Sequence, residues 1–234
     1  MLKLAKVSLI LFLISTFKTL PFAYLIRFYV KIFQYIVFQR RAFDKNRQNT
    51  FAINSPKDLF KWIDYNTYVS PLEIDMYLHK SNSTYFTDLD IARTKLICIM
   101  FQKLFFNYHD NVSGEFKTKS LKNLPFIPVA TVQSTFKHEL TVFQRFTIKS
   151  RILSWDGKWL FILSKFVTKK NGKERVNCIS VTKYVFKKKK RITIPPKEML
   201  QECGLWDENV ELESEKNGQL IDQMKDVGDL EAIE

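Results

Sequence analysis

Glycine is scarce in this 234-residue chain, with six residues in all. Neither G-x-G-x-x-G nor G-x-x-x-x-G-K-[ST] occurs, which excludes the glycine-rich loops that cradle the phosphates of dinucleotides and nucleoside triphosphates. Cysteine is scarcer still. Cys98, Cys178 and Cys203 are dispersed and form no C-x-x-C, so neither a disulfide framework nor a zinc site is expected. They read as small buried hydrophobes in a reducing compartment, and no metal or other cofactor is implied. Acidic residues are absent before Asp44. They crowd instead into residues 198–234, where twelve face only Lys216 and Lys225. The net charge of +13 therefore understates how basic the rest of the chain is, and an anionic neighbour is implied.

What fills the acid-free N-terminus is apolar and basic. Val7 to Ile26 form a 20-residue apolar stretch broken only by Lys18, about the length that crosses a bilayer core of roughly 30 Å. A central lysine costs about 2.5–3.5 kcal/mol on insertion scales. The following RFYVKIFQYIVFQRR places Arg27, Lys31 and Gln34 on one helical face among aromatics and reads as an interfacial amphipathic helix. Residues 1–43 are thus expected to be a membrane element, spanning or interfacial. A cleavable signal peptide fits less well, because no small-residue cleavage site follows the apolar run. A mitochondrial presequence is the competing reading. If the segment spans, Arg40, Arg41, Lys45 and Arg47 outweigh Lys3 and Lys6 and place the body in the cytosol. The basic stretches 169–175 and 187–191 lack any zinc finger, RNP motif or recognition helix around them. Nucleic acid is therefore not the expected partner, and anionic lipid or a carrier's phosphates suit them better.

Residues 55–200 read as one α+β domain. A short helix (PKDLFKWI) and a strand (TYVSPLEI) are followed by a long helix over 82–106. On that helix Leu89, Ala92, Leu96, Ile99 or Met100, and Leu104 recur at the spacing of a buried face. Ser81 or Asn82 caps its start and Asn107 ends it. After Pro125 the chain is strand-like: FIPVATVQSTF, then strands near 143–155, 158–169 and 173–187. Asp156-Gly157 and Asn171-Gly172 join them as type I′ turns. One apolar helix with a mostly antiparallel sheet is buried most economically when the sheet curls around it, the hot-dog arrangement. Residues 201–234 are acidic enough to be disordered in part.

Chemistry concentrates just before and at the start of the long helix, in Asp75-Met-Tyr-Leu-His79-Lys-Ser-Asn82-Ser-Thr-Tyr85-Phe, running on into DLDIAR. A carboxylate can activate water against a thioester carbonyl or attack it directly, which makes Asp75 the first candidate. Backbone N–H groups at a helix start supply donors for a developing oxyanion, and residues Ser83 to Tyr85 lie there. His79 is placed to orient water or polarise the carbonyl, and Asn82 to hold the loop or the substrate. Asp88 and Asp90 are the alternative catalytic acids. Otherwise they join Arg93 in ion pairs at the surface or a dimer interface. His109 and His138 read as structural.

The spacing D-x3-H-x2-N-x2-Y followed by an acidic residue and Ala-Arg resembles the hot-dog thioesterases of the acyl-CoA and acyl-carrier class. The chain is most similar to the membrane-anchored thioesterase superfamily member six group. The likeness takes in the basic-apolar leader, LHKSNSTYFTDLDIAR, FTIKSRILSWDGKWLFILSKFV and the Pro195-Pro196 ending. It implies catalysis by Asp75 and His79, substrate contacts from Asn82, Ser83, Thr84 and Tyr85, an acyl thioester such as acyl-CoA as substrate, and a homodimer. It also implies a cytosolic domain on the endoplasmic reticulum membrane, with the mitochondrion as the alternative. One departure stands out. Plant acyl-carrier thioesterases resembling this motif place a catalytic asparagine midway between Asp and His, where this chain has Tyr77. A non-catalytic lipid-binding or scaffold protein is therefore the second reading.

Overall fold

The computed structural model describes residues 2–170 and 172–221. Its centre is a five-stranded sheet of β1 (Ile63–Tyr68), β2 (Val129–Phe136), β3 (Arg145–Trp155), β4 (Leu160–Lys170) and β5 (Lys173–Tyr184). The strands lie in the order β1-β3-β4-β5-β2, and every neighbouring pair is antiparallel. Helix α4 (Asn82–Met100) packs on β1 and β3. Leu89, Ala92, Leu96 and Met100 are fully or almost fully buried, as the apolar periodicity predicts. Facing them, Phe146, Ile148 and Ile152 alternate on β3 with the more exposed Arg145, Thr147 and Arg151. Sheet and helix together make the expected hot-dog core. A row of serines crosses it: Ser150, Ser164, Ser180 and Ser134 are in register on β3, β4, β5 and β2, with hydroxyl contacts from Ser150 to Ser164 and from Ser134 to Ser180.

Several boundaries differ from expectation, each for a local reason. The helix expected at 56–63 is a single 3-10 turn, Pro56–Asp58, and the expected strand 67–74 gives way after Tyr68 to another, Pro71–Glu73. Both are Ser-Pro-x-acid sequences. The acid reaches back to the serine N–H, at 3.0 Å for Asp58 to Ser55 and 2.8 Å for Glu73 to Ser70. This reciprocal cap, with proline pre-set for the first turn, closes the turn before a helix or strand extends. The long helix breaks at Phe101 and resumes as α5 (Gln102–Asp110). At the break the buried Gln102 amide donates to the Tyr35 carbonyl and accepts from the Thr50 N–H. Its end is Asn111 rather than Asn107. Asn111 adopts φ 55°, and its amide binds the backbone of Phe116 at both N–H and C=O.

The Asp156-Gly157 joint is not a type I′ turn, since neither residue has positive φ. Asp156 Oδ1 instead accepts from the N–H groups of Lys158 and Trp159, both at 2.7 Å, forming a side-chain-closed loop. Gly172 does adopt φ 76°, between the paired Lys170 and Lys173, while Asn171 lies outside the described residues. A two-stranded hairpin, β6 (Phe186–Lys188) with β7 (Ile192–Ile194), leads to α6 (Pro196–Cys203).

The acidic segment expected to be partly disordered carries helix α7 (Glu208–Gln219), packed on β3. Leu205 and Val210 are buried there, and Ser214 accepts from the Trp155 N–H at 3.0 Å. Glu208, Glu213 and Glu215 lie on the exposed face of this helix. Residues 222–234 lie outside the described residues.

At the other end, α1 (Leu2–Thr16), α2 (Ala23–Tyr35) and α3 (Arg40–Asn46) precede the sheet. Among the described residues no single helix is long and apolar enough to cross a membrane. The pair 5–19 and 23–46 meets the length and composition of a span only with a 64° bend between them. Helix α2 packs along α4, so the leader is built onto the domain.

Candidate active site

Residues 70–81 form a tight excursion between β1 and α4. Its two legs are bridged at Ile74 and Lys80. At the tip the Asp75 N–H donates to the His79 carbonyl at 2.9 Å, Leu78 adopts φ 60°, and Asp75 Oδ1 accepts from the Tyr77 N–H at 2.9 Å. The second leg is held from the far side by the Lys80 N–H, which donates to the Leu140 carbonyl at 2.7 Å. This tip and the first turn of α4 face the end of β2 across a cavity of about 430 Å³. The loop contributes Asp75, Tyr77, His79 and Lys80. The helix contributes Asn82 and Tyr85, and the end of β2 contributes Phe136 to Glu139.

Four of the predicted residues, Asp75, His79, Asn82 and Tyr85, are thereby brought to one wall. Asp75 is exposed and His79 half-buried. Tyr85 is buried, its ring edge-on to Phe136 at 5.0 Å, and burial pushes its phenol well above the usual range. It is a wall of the cavity, not an acid. Ser83 and Thr84 do not line the cavity. Thr84 Oγ1 donates to the Ser81 carbonyl at 2.7 Å and Ser83 Oγ contacts Ser81 Oγ at 3.1 Å, so both hydroxyls are spent on the helix start. Tyr77, in place of the amide, is 71% exposed and leaves the cavity unsealed.

The alternative acids are elsewhere. Asp88 is fully buried among three cations: Arg27 at 2.6 Å, and Lys18 and Lys80 each at 2.9 Å. Burial alone would raise its carboxyl, but Lys80, Lys18 and Arg27 outweigh it and hold the group below the usual carboxylate range. A carboxylate with no exposed surface, held by three cations, is out of reach of a substrate or water, so the catalytic role considered for Asp88 does not fit. Asp90 accepts from the Tyr24 hydroxyl and from Arg93 at 3.3 Å, facing the leader. Arg93 itself points inward, donating to Thr182 Oγ1 at 2.6 Å. Of the residues expected in ion pairs at a surface or a dimer interface, Asp88 pairs in the interior, while Asp90 stays 28% exposed.

Sequence reasoning missed the β2 end. From sequence His138 reads as structural, yet Lys137, His138 and Glu139 line the cavity opposite Asp75. The buried Asn177 clamps them. Its carbonyl takes the N–H groups of Lys137 and His138, and its side-chain amide donates to the Glu139 carbonyl at 3.0 Å. A usable signal was present: FKHEL places three titratable residues directly after an apolar strand, at the level where β2 ends beside the start of the helix. The site thus combines two accessible carboxylates, Asp75 and Glu139, and two imidazoles with an aromatic wall. It can position water or a nucleophilic oxygen against an acyl group while a tail or carrier arm lies along Tyr85 and Phe136.

Residues 69–203 match the Thioesterase-like superfamily. Over 217 residues the chain is 39% identical to a Saccharomyces cerevisiae protein described as "Probable thioesterase", a match covering 90% of this chain and 84% of that one. It is 42% identical over 147 residues to a thioesterase of Purpureocillium lilacinum, covering 59% of this chain but 47% of that protein, and so spans about half its length. It is 28% identical over 116 residues to Protein THEM6 of Xenopus laevis, covering 49% of each. With the helix-on-sheet architecture and the cavity at the start of α4, these likenesses agree: the chain belongs to the thioesterase-like superfamily, hot-dog hydrolases of thioesters.

Proposed function

We propose that the chain hydrolyses acyl-CoA or a related acyl thioester in the cavity below residues 75–85, while resting on a membrane leaflet. The observation that carries the reading is the convergence of Asp75, His79 and Asn82 with Phe136 and His138 on one cavity. In this reading Asp75 is the base or nucleophile, and the first-turn N–H groups of α4 receive the oxyanion. His79 and His138 orient water. The Tyr85 and Phe136 rings line the acyl or pantetheine channel. A homodimer suits a sheet whose two edge strands are β1 and β2.

Membrane contact is supported by the leader's outward face. Leu9, Leu11, Phe22, Ile26 and Phe38 are each about half to three-quarters exposed, an apolar surface that no element among the described residues covers. Helix α1 has 15 residues, about 22 Å of rise, short of a bilayer core of roughly 30 Å. Since α2 is packed on α4, the fitting arrangement is monotopic, with α2 in the interface plane and α1 dipping into one leaflet. The endoplasmic reticulum, or the mitochondrion in the alternative, is the proposed location.

The test uses the full chain in detergent or nanodiscs against acyl-CoAs of increasing length, with thiol release as readout, beside flotation with phospholipid vesicles. Turnover and flotation together support the reading. Absence of turnover on every thioester refutes the catalytic half and leaves the scaffold reading. Absence of flotation refutes the membrane half.

A further inference from the structure

The most heavily buried charges in the described structure form a cluster that reaches the cavity at Lys80 and belongs partly to the leader. Lys18, which interrupts the apolar N-terminal run, is 3% exposed. Its ammonium bonds Glu73 Oε2 at 2.8 Å, Asp88 Oδ2 at 2.9 Å, Thr67 Oγ1 at 3.4 Å and the Tyr68 carbonyl. One side chain thus ties the end of β1, the first leg of the site loop and α4. Neighbouring leader residues add to the seam: the Ser15 carbonyl accepts from the Tyr68 hydroxyl at 2.9 Å, and Thr19 Oγ1 contacts Ser70 Oγ at 3.3 Å.

Glu73 passes this hold on to the site. Its Oε2 takes Lys18 and the Ser70 N–H, its Oε1 takes Lys80 at 3.1 Å, and its backbone carbonyl takes the Ser81 N–H at 2.8 Å. Glu73 is the root of one leg of the excursion and Lys80 the root of the other, with Asp75 and His79 at the tip between them. We propose that Lys18 is a positioning residue of the thioester site: the leader supplies the ammonium that holds Glu73 and Lys80, and through them the loop bearing Asp75 and His79. On this account the leader is a working part of the domain, and the lysine in the apolar run is there to reach inward.

Charge balance makes the idea testable. The cluster holds three cations (Lys18, Arg27, Lys80) and two carboxylates (Glu73, Asp88). Losing Lys18 leaves two of each sign, so the fold is expected to survive while the tie to the loop is cut.

The proposal rests on the thioesterase reading for its kinetic arm only. The full chain in detergent is compared as wild type, Lys18→Met, Lys18→Arg, Glu73→Gln and the double variant Lys18→Met/Glu73→Gln. Readouts are acyl-CoA turnover and amide hydrogen exchange over residues 73–81. Lys18→Met is expected to lower kcat about 10- to 100-fold, the scale of a misplacement near 1 Å. KM should stay within about twofold, since binding contacts are untouched. Exchange in the loop should rise about tenfold while β3 to β5 stay protected. Lys18→Arg should recover most of the rate. The double variant should be no worse than the poorer single one, because both cut the same tie. If Lys18→Met fails to fold, Lys18→Gln takes its place. Wild-type kcat and loop protection in the folded variant, or additive losses in the double, would overturn the proposal. If the wild type has no turnover at all, the thioesterase reading fails and the exchange comparison alone decides the role of Lys18.

Discussion

Replacing Asp88 with asparagine should unfold this protein more readily than any exposed substitution near the site, and the structure gives the scale. Asp88 is fully buried, and its two oxygens receive Arg27 at 2.6 Å and Lys18 and Lys80 at 2.9 Å. Asparagine keeps the shape but removes the charge and turns an N–H₂ group toward a cation. Three buried cations then face Glu73 alone. Removing one partner of a buried ion pair costs about 3–5 kcal/mol, because the remaining charge is left uncompensated. Against a total stability of about 5–15 kcal/mol that is a large fraction. At roughly 2–4 °C per kcal/mol for a chain of this size, Tm should fall by about 6–20 °C.

The sign with pH follows from the depressed carboxyl. Its contribution is fully present above the unfolded value of about 3.9 and is lost as pH falls through the lower folded value. Wild type and Asp88→Asn should therefore differ at neutral pH and converge only in acid. The assay is thermal unfolding by circular dichroism of the full chain in one detergent, from pH 7 to pH 3. Adding Lys18→Met to Asp88→Asn removes one charge of each sign and should restore part of the loss. A Tm within about 2 °C of wild type for Asp88→Asn, or a double variant worse than the sum of the singles, would refute the reasoning.

Two further outcomes are expected. Burial pushes the Cys98 and Cys203 thiols up to about 12 and the Cys178 thiol up to about 11, so alkylation of the native protein at pH 8 should modify none of them and unfolding should expose all three. Rapid labelling of the native chain would contradict their placement. Phe22→Ser and Phe38→Ser, at side chains about three-quarters exposed, should weaken vesicle flotation while leaving Tm within about 2 °C. Unchanged flotation would mean that this face does not meet lipid.

The parts of the structure legible in the sequence are those governed by periodicity. The buried stripe of α4 and the one-sided alternation of β3 are both visible as spacing, and they place the sheet and helix correctly. The start of α4 and the Asp75–Tyr85 stretch follow from the motif. The segments misread are ruled by side chain–backbone capping. Ser55-Pro56 and Ser70-Pro71 stop elements that apolar content alone would extend, and Asp156 builds its own turn. Partners distant in sequence were out of reach. Nothing local says that Lys18, 70 residues before Asp88, is its counter-ion, and a lysine in an apolar run reads first as a cost of membrane insertion. The β2 contribution to the cavity is hidden for the same reason, since His138 and His79 come to line one cavity only once the sheet has formed.

The central claim is that the cavity at the start of α4 turns over thioesters through Asp75. Its most direct test is the steady-state hydrolysis of a series of acyl-CoAs by the full chain and by Asp75→Asn. Asp75 is exposed, so the substitution should leave stability within about 0.5 kcal/mol. The account predicts measurable wild-type turnover that falls about 10²- to 10⁴-fold in the variant, the span of a lost general base or nucleophile. Equal rates in the two proteins would contradict it.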